Sequence, residues 1–430
     1  MVNPVVGTTP TAVYPASRSW LGVGREAFAG TAVLPTNTIP MDAKSYSPED
    51  MPKFLPDEAL RGNMALLYNE ILGPADASFS FGGPNFLDTY GFFLDNIFGD
   101  LSTVGTSNGT AATSFSGSPA VGATQITVGA VTGFAIGQNV QIDTGSVAEV
   151  VTLTGTAAST LIFGGNYLRF AHGASGTVFT VGGPFTHTFA LLNQGLGYGG
   201  IQGAQPPTHT ITDNTNIITT GTYANAFGAR AYPSACLSAF DITGNSEQLM
   251  DIKITGNSWP SVIPSGTATK AISTTIPVAN WRSTVFIGGT AALNQVYDVG
   301  EYTLNVKRQL QVYWTDQGAQ TPYIIARGPL SISGGMNFTV PSDDSPLNLM
   351  LQNTQPQLQI NLSNGLGGSA AASITYNSQV TAFTKSKPTR NAVLIGYDTS
   401  WDAVANSTNV GGSGGLAPGT FTLVNYVPTY

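Results

Sequence analysis

The sequence predicts a mainly β chain, and three observations carry that expectation. First, 51 Gly and 26 Pro among 430 residues are too many backbone breaks for a helical protein and suit short strands joined by turns. Second, 42% hydrophobic and 10% aromatic residues exclude a disordered chain. Charged residues are only 9%, against about 25% in ordinary soluble domains. The surface must therefore be Ser, Thr, Asn, Gln and Gly, or be covered by a partner. Third, apolar and polar residues alternate from 301 to 314, with Tyr302, Leu304, Val306, Leu310, Val312 and Trp314 in one phase. That is the period of a strand with one buried face.

Taken in order, residues 1–60 carry eight prolines and are expected as an extended arm and a long loop. Residues 86–101, FLDTYGFFLDNIFGDL, predict a helix, since Leu87, Tyr90, Leu94, Ile97, Phe98 and Leu101 recur at three- and four-residue steps. Asn85 is the expected N-cap and Gly99 the terminator. Asp88, Asp95 and Asn96 form its polar face, and Phe92, which falls among them, is a candidate subunit contact. Residues 105–185 shift to Gly, Ser, Thr and Ala, with short strands expected at 125–128, 139–142, 148–153 and 178–181. This is a candidate small β domain inserted in a loop. The 301–314 run, bent at Arg308, is expected to pair with 323–340 as a long antiparallel hairpin. Shorter alternations mark Phe240/Ile242, Ile252/Ile254 and Leu358/Ile360/Leu362. A glycine-bearing strand followed by a helical segment occurs twice, SFSFGG before FLDTYGFFLDNIFG and SISGGMNFTV before SPLNLMLQN, which suggests a tandem duplication. The expected division is 1–104 with 186–265 as one module, 105–185 as the insertion and 266–430 as a second module.

Charge and composition narrow the function classes. A net charge of −8 argues against gripping phosphates. Residues 42–100 hold ten acids and three bases, whereas 253–390 hold nine bases and five acids, an asymmetry that permits head-to-tail self-attraction. Cys236 is the only cysteine, so neither an intrachain disulfide nor a thiolate metal cluster is expected, and its apolar neighbours predict a core position. The opening residues lack a basic stretch followed by an apolar one, so no signal peptide is expected. The sequons at Asn108, Asn337, Asn361 and Asn406 are expected to be unglycosylated. His172, His187 and His209 match no zinc spacing and are expected at the surface or an interface. GLGYGG satisfies G-x-G-x-x-G at Gly195, Gly197 and Gly200, but no helix follows to hold a phosphate. The pairs Glu49/Asp50, Asp57/Glu58 and Asp343/Asp344 are expected as solvated loop charges, without the fixed cleft separation of a glycosidase. No catalytic, cofactor-binding or metal constellation emerges, and a structural or assembly protein, not an enzyme, is the leading class.

WLGVGREAFAGTAVLPTNTIPM at 20–41 resembles the N-terminal signature of the tail tube proteins (major tail proteins) of long-tailed, non-contractile bacteriophages, G-[IV]-G-x-E-x-x-x-G-T-x-V-x-P-T. LPDEALRGNMALLYNEILGPADASFSFGG, the following LDTYGFFLDNIFGDL, THTFALLNQG, QPPTHTITD, ARAYPSACLSAFDITGNSEQLMDIKITG and the closing PGTFTLVNYVPTY are also similar to that family, in the same order. The resemblance implies a β-sandwich tube fold with a flanking helix, and subunits joined into rings by sheet pairing. The rings stack into a hollow virion tail, assembled in the host cytoplasm, through which DNA passes without sequence-specific binding. It also implies partners among other phage tail proteins: tape measure, tail terminator and distal tail. A chain with two tube modules would form a three-subunit ring with pseudo-sixfold symmetry, the hexamer being the alternative. Asp42, Glu49, Asp50, Asp57 and Glu58 on the acidic side, and Lys307, Arg308 and Arg327 on the basic side, join Phe92 as candidate subunit or ring contacts. Two other readings compete. One is a phage or bacterial surface β protein whose 105–185 module attaches to glycans or host cells; the other is a β-helix or sandwich hydrolase.

Overall fold

The computed structural model describes residues 16–41, 45–59, 61–62, 64–164, 167–194, 203–214, 229–266, 268–273, 275–339, 341, 343–390 and 393–430. Of the described residues, 51% are in strands and 8% are helical, so the mainly β expectation holds. The strands form antiparallel sheets of eleven, nine and three members. Along most of the largest sheet the order is Ser47–Asp57, Asn69–Pro84, Asp251–Ser258, Arg230–Asn245, Val299–Tyr313, Ile324–Phe338, Ile395–Ala403 and Thr381–Arg390. Trp20–Arg25 joins it through His209–Asn214, which pairs with the first half of Arg230–Asn245. The nine-stranded sheet runs from Gln295–Val296 through Thr284–Ile287, Leu358–Ser363, Ser373–Ser378 and Thr420–Asn425 to Thr177–Leu191, which also pairs with Gly99–Ser114.

One continuous apolar core draws on both large sheets, with Phe79, Phe81, Phe240 and Trp401 from the first and Phe189, Ile360, Tyr376 and Phe421 from the second. Strands from 1–104, 186–265 and 266–430 all contribute to these two sheets and to this core. Helix α1, Tyr90–Phe98, is buried along its whole length. It begins at Thr89 instead of Asn85, whose side-chain amide instead lies 3.4 Å from Met250 Sδ. Gly99 does end it, at φ +85, a conformation open to glycine at little cost, and the chain turns directly into Gly99–Ser114. The second helix, α2 (Ser345–Leu351), is short and has only Pro346 fully buried.

The long hairpin is present as Val299–Tyr313 against Ile324–Phe338, and its register slips between Arg308 and Leu310, where the bend was expected. The expectation of loop throughout 1–60 is corrected. Trp20–Arg25, Asn37–Ile39 and Ser47–Asp57 are strands, and an edge strand tolerates Pro48, Pro52 and Pro56 because one side of it needs no ladder bonds. Residues 105–185 build a separate small core of Phe115, Ile126, Val140, Val151, Phe163, Leu168 and their neighbours. Within them, Asn139–Ile142 and Glu149–Thr152 add to the edge of the nine-stranded sheet, while Gln125–Thr127, Gly155–Ala157 and Thr160–Ile162 form the three-stranded one. No helix among the described residues is long and apolar enough to cross a membrane.

Candidate assembly surface

The segment 20–36 is knotted into the core by its own distinctive residues. Glu26, only 2% exposed, accepts from Thr208 Oγ1 at 2.6 Å, Thr210 Oγ1 at 2.7 Å, Ser234 N at 2.8 Å and Gly30 N at 3.0 Å. Burial raises its pKa, and these four donors pull it back. Gly30 sits at φ +81 against Trp259, and a Cβ there would lie 2.2 Å from the indole. Gly22 and Gly24 let the returning Pro35 and Leu34 approach at 2.5 and 2.7 Å from where a Cβ would stand. Glycine at these places is a packing requirement.

Beside this knot lies a buried charge cluster centred on Asp95 of α1. Arg169 pairs with it through both terminal nitrogens and donates to Tyr430 O at 2.7 Å. Arg25 Nε stands 3.8 Å away and His209 Nε2 3.9 Å away. Burial alone would raise the Asp95 pKa, but Arg169 and then Arg25 hold it below the usual carboxylate range. Arg169 thus ties the insertion to the core helix. Asn96 is equally committed: its amide donates to Ala235 O at 2.7 Å and contacts His209 Nδ1 at 3.0 Å, and its oxygen accepts from Leu237 N at 2.9 Å.

These contacts relocate several candidate surface residues. Phe92 is 4% exposed, edge-on to Tyr430 and His209, so it is an internal ring and not a subunit contact. Arg308 and Arg327 are each 5% exposed. Arg308 donates to Ile97 O, and Arg327 to Pro206 O, to Pro207 O at 3.0 Å and to Asn96 O at 3.5 Å. Two cations therefore meet the negative C-terminal end of α1. Burial lowers the Arg308 pKa to about 9, with Arg327 adding repulsion, and burial likewise lowers Arg327.

All three histidines are interior as well, against the expectation of surface or interface positions. His187 Nε2 donates to Val427 O at 2.9 Å while Nδ1 lies 3.0 Å from Thr103 Oγ1; burial drops its pKa to about 4, and that of His209 to about 3. His172 contacts Asp143 at 3.2 Å through Nδ1 and Glu149 at 3.0 Å through Nε2. Two carboxylates facing both ring nitrogens require both to carry protons. Burial opposes that charge, yet Glu149 and Asp143 prevail and raise the pKa. Cys236 is fully buried, as its neighbours implied.

The remaining candidates are at the surface. Glu49, Asp50 and Glu58 are exposed and Asp57 partly so, the first two and Asp57 on the strand Ser47–Asp57 and not in loops; Lys307 is exposed. Asp50 accepts from Ser261 N and Oγ at 2.7 and 2.6 Å, and Asp57 pairs with Arg61. Asp42 and the glycines 195, 197 and 200 lie outside the described residues. Sequence reasoning missed what accompanies the acids, a ribbon with apolar residues on both faces. Phe54 stands opposite Leu72 and Leu55 opposite Ile71, all about half exposed, with Leu66 at 72% nearby. The signal is present as FLP at 54–56, within the proline-rich stretch, and EIL at 70–72, beyond it. A two-stranded ribbon is marginal in water; this one is steadied by Gln320 of the long hairpin's tip, which accepts from Ala75 N at 2.9 Å, and the exposed apolar pairs on both its faces make it a candidate interaction site. Neither protein-family models nor curated proteins match the chain.

Proposed function

We propose that the protein is a structural subunit of a phage tail tube, assembling with copies of itself into rings that stack as the conduit for genome delivery. The carrying observation is the 47–84 ribbon, whose apolar pairs Phe54/Leu72 and Leu55/Ile71 are exposed on both faces and need neighbours to cover them. Three further features support the reading. The tube-like segment 20–36 forms a single interlocked unit around Glu26. Two large antiparallel sheets enclose a helix, an architecture compatible with a tail-tube sandwich. The net charge of −8 suits a wall that DNA must slide past, because attraction to a basic wall would hold it.

A three-subunit ring is the favoured stoichiometry, since about 350 residues remain outside the insertion and the strand–helix unit occurs twice. Tail tape measure, terminator and distal tail proteins are the proposed further partners, and the virion tail the proposed location. Negative-stain electron microscopy across a concentration series, at low and high salt, tests this. Rings or hollow tubes are expected, with class averages separating threefold from sixfold symmetry. Strictly monomeric particles at every concentration, with no polymerisation on adding tail initiator proteins, would overturn it.

A further inference from the structure

Eight strands of the largest sheet form an unbroken antiparallel run whose outer members are Ser47–Asp57 and Thr381–Arg390. These two edges are opposite in charge. Residues 47–58 carry Glu49, Asp50, Asp57 and Glu58 against Lys53, a balance of −3, and 381–390 carry Lys385, Lys387 and Arg390 with no acid, a balance of +3. They are also matched in length, at 11 and 10 residues.

We propose that the acidic edge Ser47–Asp57 of one copy docks against the basic edge Thr381–Arg390 of the next, in a repeating head-to-tail contact. This rests on the ring-forming reading above and assigns it a surface. The strand count supports it: with eight antiparallel strands the two edges run in opposite directions. A neighbour rotated about an axis along the strands therefore presents its basic edge antiparallel to the acidic one, and the alternation continues across the junction. A contact between two different patches, repeated by a rotation that returns to the first copy, closes into a ring. Phe54 and Leu55 on the acidic edge are about half exposed and add apolar surface among the charges, as interfaces commonly do.

Charge is also what makes the contact selective. Pro48, Pro52 and Pro56 on one edge and Pro388 on the other interrupt a backbone ladder, and edge lysines and prolines discourage unspecific strand addition. Like edges therefore repel and unlike edges attract. The local partners of these charges, Arg61 for Asp57, Ser261 for Asp50 and Asp398 for Lys385 at 3.1 Å, are all exposed contacts that can be exchanged at low cost.

The experiment compares three full-length variants with the wild type by sedimentation velocity and negative-stain microscopy: E49K/E58K, K385E/K387E, and all four changes together. Each two-residue reversal should raise the concentration needed for half-assembly by about tenfold or more, a difference of roughly 1.4 kcal/mol, and the fourfold variant should return towards wild type. If the wild type assembles and both reversals assemble equally well, the edge assignment is wrong while the ring reading stands. Loss in the reversals without recovery in the fourfold variant also overturns it. A wild type that never assembles removes both proposals together.

Discussion

The two strand–helix units that look alike in sequence occupy opposite environments. Asn69–Pro84 leads into α1, every residue of which is buried, whereas Ile324–Phe338 leads into α2, where only Pro346 is. A helix buried all round cannot leave its polar groups to water. Around α1, Asp95 is met by Arg169 and Arg25, Asn96 by Ala235, Leu237 and His209, and the terminal carbonyls by Arg308 and Arg327. α2 needs far less, and Tyr397 Oη donating to Asp344 at 2.6 Å anchors its start. The first unit is therefore the organising centre of the chain and the second a rim element, whatever their common pattern.

The largest expected effect comes from breaking the centre. Arg169→Ala leaves Asp95 buried with reduced compensation and should cost about 3–5 kcal/mol of stability, the usual penalty for removing one partner of a buried pair. Lys385→Ala, at the exposed pair with Asp398, should cost less than about 1 kcal/mol. Urea midpoints of the two variants settle whether the charge cluster matters; equal shifts would mean that it does not. The helices themselves give the next contrast. Phe93→Ala empties a site packed 5.4 Å from the Phe81 ring and should cost about 3–5 kcal/mol, against about 1 kcal/mol for the half-buried Leu349→Ala in α2. A comparable loss in α2 would make the second unit a second centre after all.

The legible parts of this fold were those with a period. The alternation of Tyr302, Leu304 and Val306 located the long hairpin, Arg308 its slip, and Gly99 the end of α1. Periodicity also placed the strands at 139–142 and 358–362. It could not say that the polar face of α1 points into the protein, because Asp95 and Asn96 are satisfied by residues 74 and 141 positions away. For the same reason Arg308, Arg327 and Phe92 looked like surface residues. The strand Ser47–Asp57 was hidden by its prolines, which signal a loop unless the segment lies at a sheet edge. Within the candidate surface the acids were visible from composition, but their position on the edge facing away from Lys385, Lys387 and Arg390 is a property of strand order alone.

The dependence of stability on pH distinguishes the histidine beside α1 from the one in the insertion. His209 is held near 3 and His187 near 4, so both stay neutral in the folded chain while the unfolded chain takes up protons below about 6.5. Their folded pKa values are depressed for a base, so the unfolded state binds more protons as pH falls from about 6.5 towards 4. Stability is lost over that window, by up to about 1.4 kcal/mol per pH unit for each group. His172 is raised instead. Its contribution is fully present below about 6.5 and is lost as pH rises through its folded value. Urea midpoints measured from pH 4 to 9 on the wild type, His209→Gln and His172→Gln should therefore diverge in opposite directions. Removing His209 should flatten the acid limb, and removing His172 should flatten the slope on the alkaline side of 6.5. If His172→Gln instead changes the acid limb, its two carboxylate contacts do not hold the imidazolium. The insertion would then lack the charged clamp that closes Asp143 and Glu149 over the loop carrying Arg169 to the core.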